Sequence, residues 1–118
     1  MIVRYPVSGV VSAWVGRFRS ESVFDTSVDR FISSRLGIGV PIESICEACF
    51  VEEEQLASTI IHGFSQSEYF LTEDALARLK TYPNMVNSAV VCYGVSIESA
   101  PPTWGPFEFM GTFAFSDR

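Results

Sequence analysis

Between Arg35 and Arg78 the chain has neither lysine nor arginine, yet that stretch holds eight of its fourteen carboxylates. They are Glu43, Glu47, Glu52, Glu53, Glu54, Glu68, Glu73 and Asp74. The basic residues stand outside the gap: Arg4, Arg17, Arg19, Arg30 and Arg35 before it, Arg78, Lys80 and Arg118 after it. A net charge of −6 excludes the basic footprint that DNA, RNA and anionic membranes require. No stretch approaches the ~20 apolar residues of a membrane-spanning helix. The longest charge-free run, Thr81 to Ile97, is broken by Pro83, Asn84, Asn87 and Gly94. There is no phosphate loop, dinucleotide fingerprint or paired-histidine helix, which removes the commonest nucleotide and metalloprotease signatures. Internal repeats, low-complexity tracts and linkers are also missing, so residues 1–118 are expected to form one domain.

What is present is a core-forming composition: 47% hydrophobic against 19% charged. Such a chain buries roughly two thirds of its unfolded surface without a staple. Ten Phe, four Tyr and two Trp exceed what a core of this size needs and would suit a contact surface. The odd cysteine count, Cys46, Cys49 and Cys92, does not suggest a disulfide framework. The first residues place Arg4 ahead of Val10, Val11 and Val15 in the manner of a signal peptide. A small-residue cleavage site is missing, however, and Arg17 and Arg19 follow closely. These features predict a cytoplasmic protein.

Alternation around Val11, Ala13 and Val15 predicts a strand ending near Gly16. Ser22 and Asp25 resemble a capping box. Phe24, Val28, Phe31, Ile32 and Leu36 then recur at helical spacing up to Gly37, leaving Asp29, Arg30 and Ser33 to water. Residues 39–52 fit either a helical turn or a strand. Leu56, Ile60 and Phe64 predict a second helix from Glu53 to Gly63, its N-terminus favoured by Glu52, Glu53 and Glu54. Ser65-Gln66-Ser67 predicts a turn, and Thr72 caps a helix opening with Glu73 and Asp74. Met85 to Val95 predicts a buried strand. Phe107 to Phe115 predicts a strand with Phe107, Phe109, Gly111, Phe113 and Phe115 on one face. The expected fold is α+β, with two or three helices on a mainly antiparallel sheet.

Three arrangements carry candidate chemistry. Cys46 and Cys49 would share one face of a helical turn, and with His62 and Cys92 they could complete a zinc or thiol site. Glu47 and the acidic block disfavour a thiolate and no second tight ligand pair is present, so buried cysteines filling core volume are the preferred reading. His62 beside Gly63-Phe64-Ser65-Gln66-Ser67 hints at a hydrolase elbow, but serine stands where that motif wants glycine. Adjacent glutamates at 52–54 point in different directions and do not enclose a metal. As an enzyme the sequence is unconvincing. An acidic adaptor for a basic protein is a further alternative.

Val11-Ser12-Ala13-Trp14-Val15-Gly16-Arg17-Phe18, followed by an acidic-capped helix, resembles the opening of the bacterial immunity protein 22 family of polymorphic toxin systems. Gly63-Phe64-Ser65-Gln66-Ser67-Glu68-Tyr69-Phe70 is similar to that family's central motif. Asn87 to Tyr93 and Phe109 to Phe115 resemble its last two strands. Between Gly39 and Val51 the chain departs from the pattern, carrying Pro41, Cys46 and Cys49.

The resemblance implies a non-enzymatic, cofactor-free inhibitor that binds one cognate toxin, commonly a basic nuclease such as a DNase. An acidic surface would occlude its active site or substrate groove. Glu47, Glu52, Glu53, Glu54, Glu68, Glu73 and Asp74 would steer it, and Tyr69, Phe70 or Trp104 would anchor it. Trp104, held between prolines, is expected at the surface. Self-association is not legible.

Overall fold

A computed structural model describes residues 1–115; Arg118, counted above among the basic residues, lies outside the described residues. The chain begins with β1 (Ile2–Arg4) and β2 (Val10–Gly16). A helical rod follows, made of α1 (Glu21–Ser27), a π-helical stretch (Val28–Ser33) and α2 (Ser34–Leu36). After a 3₁₀ turn (Ile42–Ser44) come β3 (Cys46–Leu56) and α3 (Ala57–His62). A second 3₁₀ turn (Ser67–Tyr69) leads to α4 (Glu73–Lys80), and then β4 (Met85–Tyr93), β5 (Ser96–Glu98), β6 (Thr103–Trp104) and β7 (Phe107–Ala114).

β2 shows why the layers stack as they do. Val11 through Gly16 are all buried, which requires cover on both faces of the sheet. β2 sits centrally in a five-stranded antiparallel sheet ordered β3-β4-β2-β7-β6, while β1 and β5 form a separate antiparallel pair. On one face Val11, Ala13 and Val15 meet Ile60, Ile61, Phe64, Phe70 and Leu79 from α3, α4 and the segment between them. On the other, Trp14 meets Phe24, Val28, Ile32 and Leu36 of the helical rod. The protein is thus an α+β domain with helices on both sides of an antiparallel sheet.

The expected ends of the first rod and of α4 are present. Gly37 ends the rod at φ 57°, in the left-handed region that glycine enters without strain. Thr72 Oγ1 accepts from the Ala75 amide to cap α4. The first helix is capped by Ser20, whose hydroxyl accepts from Val23 N–H, rather than by Ser22. Buried Asn87 binds the backbone of Phe18 in both directions, at 3.0 Å and 2.6 Å, and thereby fixes the exit from β2.

Two sequence expectations fail for long-range reasons. Glu53 to Leu56 continue strand β3, and the helix starts only at Ala57. Pairing of Gln55 with Val86 and of Leu56 with Met85 overrides the local helical spacing. In β7 the alternation breaks at Met110, because Ala13 pairs with Gly111 while Trp14 pairs with Phe109. This bulge turns Phe107 and Phe109 toward the rod and Phe113 toward α3 and α4. Gly111 sits there at φ +134°, and Arg78 lies across it, reaching the Met110 carbonyl and the Phe113 ring.

Candidate functional site

The acidic block splits into charges that face water and one that is braced. Glu43, Glu52, Glu53, Glu54, Glu68, Glu73 and Asp74 are exposed. Among the described residues only two ion pairs form, Arg4 with Glu98 and Arg17 with Glu54 at 3.7 Å. The other exposed carboxylates of the block therefore keep their field uncompensated by close basic partners. Glu52, Glu53 and Glu54 do not favour a helix N-terminus as expected. They project from an irregularity in β3, where the ladder jumps from Phe50 opposite Ser88 to Gln55 opposite Val86. Glu73 and Asp74 do occupy the first turn of α4, where the helix dipole favours them.

Glu47 is half-buried on β3 and accepts 2.6 Å hydrogen bonds from Tyr93 Oη and Ser65 Oγ, with Ser65 N–H at 3.3 Å. Burial alone would raise its pKa, but the Ser65 and Tyr93 bonds outweigh that and hold the carboxyl below its ordinary value. Burial, then the hydrogen bond and charge of Glu47, push the Tyr93 phenol upward, so it stays a neutral donor. The arrangement ties β3, β4 and the turn after α3 together beside an open hollow of about 450 Å³. Glu47 is thus a brace and not a free steering charge.

The aromatic anchors change as well. Trp104 is completely buried, which corrects the expectation of a surface tryptophan. β6 pairs with β7 and turns the indole inward, edge-on to Trp14 at 5.2 Å, with its Nε1 donating to the Pro101 carbonyl at 3.1 Å. Phe70 is core at 1% exposure, and half-buried Tyr69 leans on Phe115. Leu56 and Met85, opposite each other at the end of the β3–β4 ladder, are 53% and 42% exposed; Met1, Ile2 and Val40 are also exposed, away from the acidic block in sequence or outside the sheet ladder. Leu56 follows Glu52, Glu53 and Glu54 closely in sequence, and the helical reading of Leu56 had concealed its pairing with Met85.

Cysteine chemistry is also reassigned. Cys46 and Cys92 face each other across β3 and β4 and form a disulfide, leaving Cys49 as the free thiol. The Cys-x-x-Cys reading assumed a helical turn. In a strand, residues three apart point to opposite faces, so Cys46 packs toward the rod and Cys49 toward α3. Two sulfurs of the suggested Cys46, Cys49, His62 and Cys92 set are therefore bonded to each other. The elbow reading is not supported either: Ser65, the serine it would use, donates its Oγ to Glu47 Oε1 at 2.6 Å, and Ser67 Oγ donates to the His62 backbone carbonyl at 2.8 Å.

The first helix adds carboxylates outside the block. Glu21, Asp25 and Asp29 recur at intervals of four, so they share one helix face. Asp25 and Asp29 line a groove of about 330 Å³ together with Glu43 and Ala48. Glu21 lines a second hollow with Glu52, Phe50 and Arg19. The spacing was legible in the sequence; its meeting with β3 was not. The chain matches no protein-family model, and no curated protein or solved structure is significantly similar to it.

Proposed function

We propose that this protein is an immunity protein of the kind its motifs resemble, a non-catalytic inhibitor of one basic bacterial toxin. A nuclease is the best-suited target, since an enzyme that grips phosphates must present the cationic groove that an acidic surface can fill. The observation that carries this reading is the set of exposed carboxylates, Glu43, Glu52, Glu53, Glu68, Glu73 and Asp74, without a basic partner among the described residues. Their field steers encounter and orientation, with association approaching roughly 10⁸ M⁻¹s⁻¹ at low salt. Residence needs a desolvated anchor, and Leu56 with Met85 beside Glu52 to Glu54 replaces Trp104 in that role.

No described helix is long and apolar enough to cross a membrane. We place the protein's action in the cytoplasm of the toxin's producer or its kin. The Cys46–Cys92 disulfide bears on that placement, because such bonds persist where thioredoxin and glutathione do not reduce them. Thiol trapping in intact cells therefore tests the compartment.

The function itself is tested by pull-down of the product of the adjacent gene and by co-expression. Stable capture and rescue of cells from that product are expected. A folded protein that neither binds nor protects would sink the reading.

A further inference from the structure

Among the described residues β3 is an edge strand, bonded to β4 on one side only. The amide of Tyr93 donates to the Ile45 carbonyl at 2.9 Å, which marks those two residues as a hydrogen-bonded pair of the antiparallel ladder. Alternation along the ladder then makes Cys46/Cys92, Ala48/Val90 and Phe50/Ser88 the non-bonded pairs. The backbone N–H and C=O groups of Cys46, Ala48 and Phe50 consequently point away from the sheet. Ala48 is exposed, and Cys46 and Phe50 are half-buried. The pairable stretch ends after Phe50, where the ladder breaks.

This edge is lined mainly by carboxylates. Asp25, Asp29 and Glu43 flank Cys46 and Ala48, while Glu21 and Glu52, with Arg19 beside them, flank Phe50. A second copy of the chain would bring the same carboxylates against these and be repelled. A basic strand would be attracted and aligned. Resting on the reading of a basic partner, we infer that this edge of β3 receives an extended segment of the partner as a sixth strand of the sheet. Its backbone pairs with Cys46, Ala48 and Phe50. Its alternate side chains, lysine or arginine, lie toward α1 and meet Asp25, Asp29 and Glu43. Main-chain bonds supply the affinity and the carboxylates supply the choice of partner.

The probe is a short capped peptide alternating arginine and threonine, titrated into the purified protein at low salt. Its counterpart is methylated on alternate backbone nitrogens, so that its charge is kept and its pairing lost. Ala48→Pro removes an outward-facing N–H, which edge strands tolerate, and Asp25→Asn with Asp29→Asn removes charge without touching the edge. The parent peptide should bind, and each of these three changes should weaken it by about tenfold or more, with circular dichroism unchanged for the folded variants. No binding of the parent peptide up to roughly millimolar concentration overturns the inference. So does equal binding of the methylated peptide, or unchanged affinity in folded Ala48→Pro. If Ala48→Pro does not fold, the two peptides on the unaltered protein decide. A dimer in sedimentation whose dissociation accompanies peptide binding would give the edge to a second copy instead. Rescue of toxin-expressing cells separates the two readings. Full rescue by folded Ala48→Pro removes strand addition alone, whereas no rescue by the unaltered protein removes the immunity function.

Discussion

The sheet has two edges, and they are protected in opposite ways. At one edge β6 is only two residues long, Thr103–Trp104, and lies between Pro101-Pro102 and Pro106. Prolines lack the N–H that a docking strand would use, and so short an edge offers little to pair with. At the other edge β3 runs eleven residues without a proline. Its protection is charge, together with the break in the ladder at residues 51–54. A proline edge refuses every strand, whereas a charged edge refuses only strands of its own sign. The difference teaches that the molecule closes one side and leaves the other selectively open.

The largest expected effect comes from breaking the closed edge. Trp104→Ala should cost about 3–5 kcal/mol, because a buried indole packed on Trp14 and Phe109 leaves a cavity that the loop cannot fill. Denaturant unfolding measures it; a change below about 1 kcal/mol would mean that the indole sits at the surface after all.

Next is the bond that fastens the open edge. Replacing Cys46 and Cys92 with serine should lower stability by about 2–4 kcal/mol relative to the oxidised protein. Thiol titration of the unreduced protein in denaturant should find one free cysteine, Cys49. Three titratable thiols in the oxidised preparation would contradict the pairing.

Glu47→Gln should cost about 1–2 kcal/mol at neutral pH by weakening charge-assisted bonds behind β3. The folded protein holds Glu47 below the ordinary value of 4.5, so its contribution is present above that value and is lost as pH falls through the lower folded-state pKa. The variant should therefore show a flatter decline in stability on the acid side. An acid limb identical to that of the unaltered protein would argue against the brace.

The smallest effect on stability, within about 0.5 kcal/mol, is expected for Glu52→Lys, Glu53→Lys and Glu54→Lys combined. If the protein is the proposed immunity protein, the same change should slow association with its toxin about tenfold or more at low salt, with the difference shrinking as salt screens the charges. Stopped-flow mixing across ionic strength sharpens the contrast between the edges. Equal rates would show that the charge of β3 guards without steering.

Much of the fold was legible because its signals are local. The alternation of Val11, Ala13 and Val15 in β2, the helical spacing from Phe24 to Leu36, the stops at Gly37 and Gly63 and the Thr72 cap all act within a few residues. The candidate site was only half legible. The carboxylates could be counted, but Glu47 turned inward, Trp104 was buried, and the helix face of Glu21, Asp25 and Asp29 joined the surface unanticipated. Leu56 misled for the same reason: its four-residue spacing to Ile60 suits a helix, yet β4 claims it for the ladder.

From the sequence alone come the sign of the charge, its crowding into one arginine-free stretch, and the local starts and stops of most elements. These depend on residue type and on neighbours a few positions away. The partner of Cys46, the inward turn of Trp104, the bulge at Met110 and the exposed edge of β3 were decided only by the tertiary structure. Each depends on which distant strand lies alongside, and such pairing couples residues far apart in the chain whose match no local preference specifies.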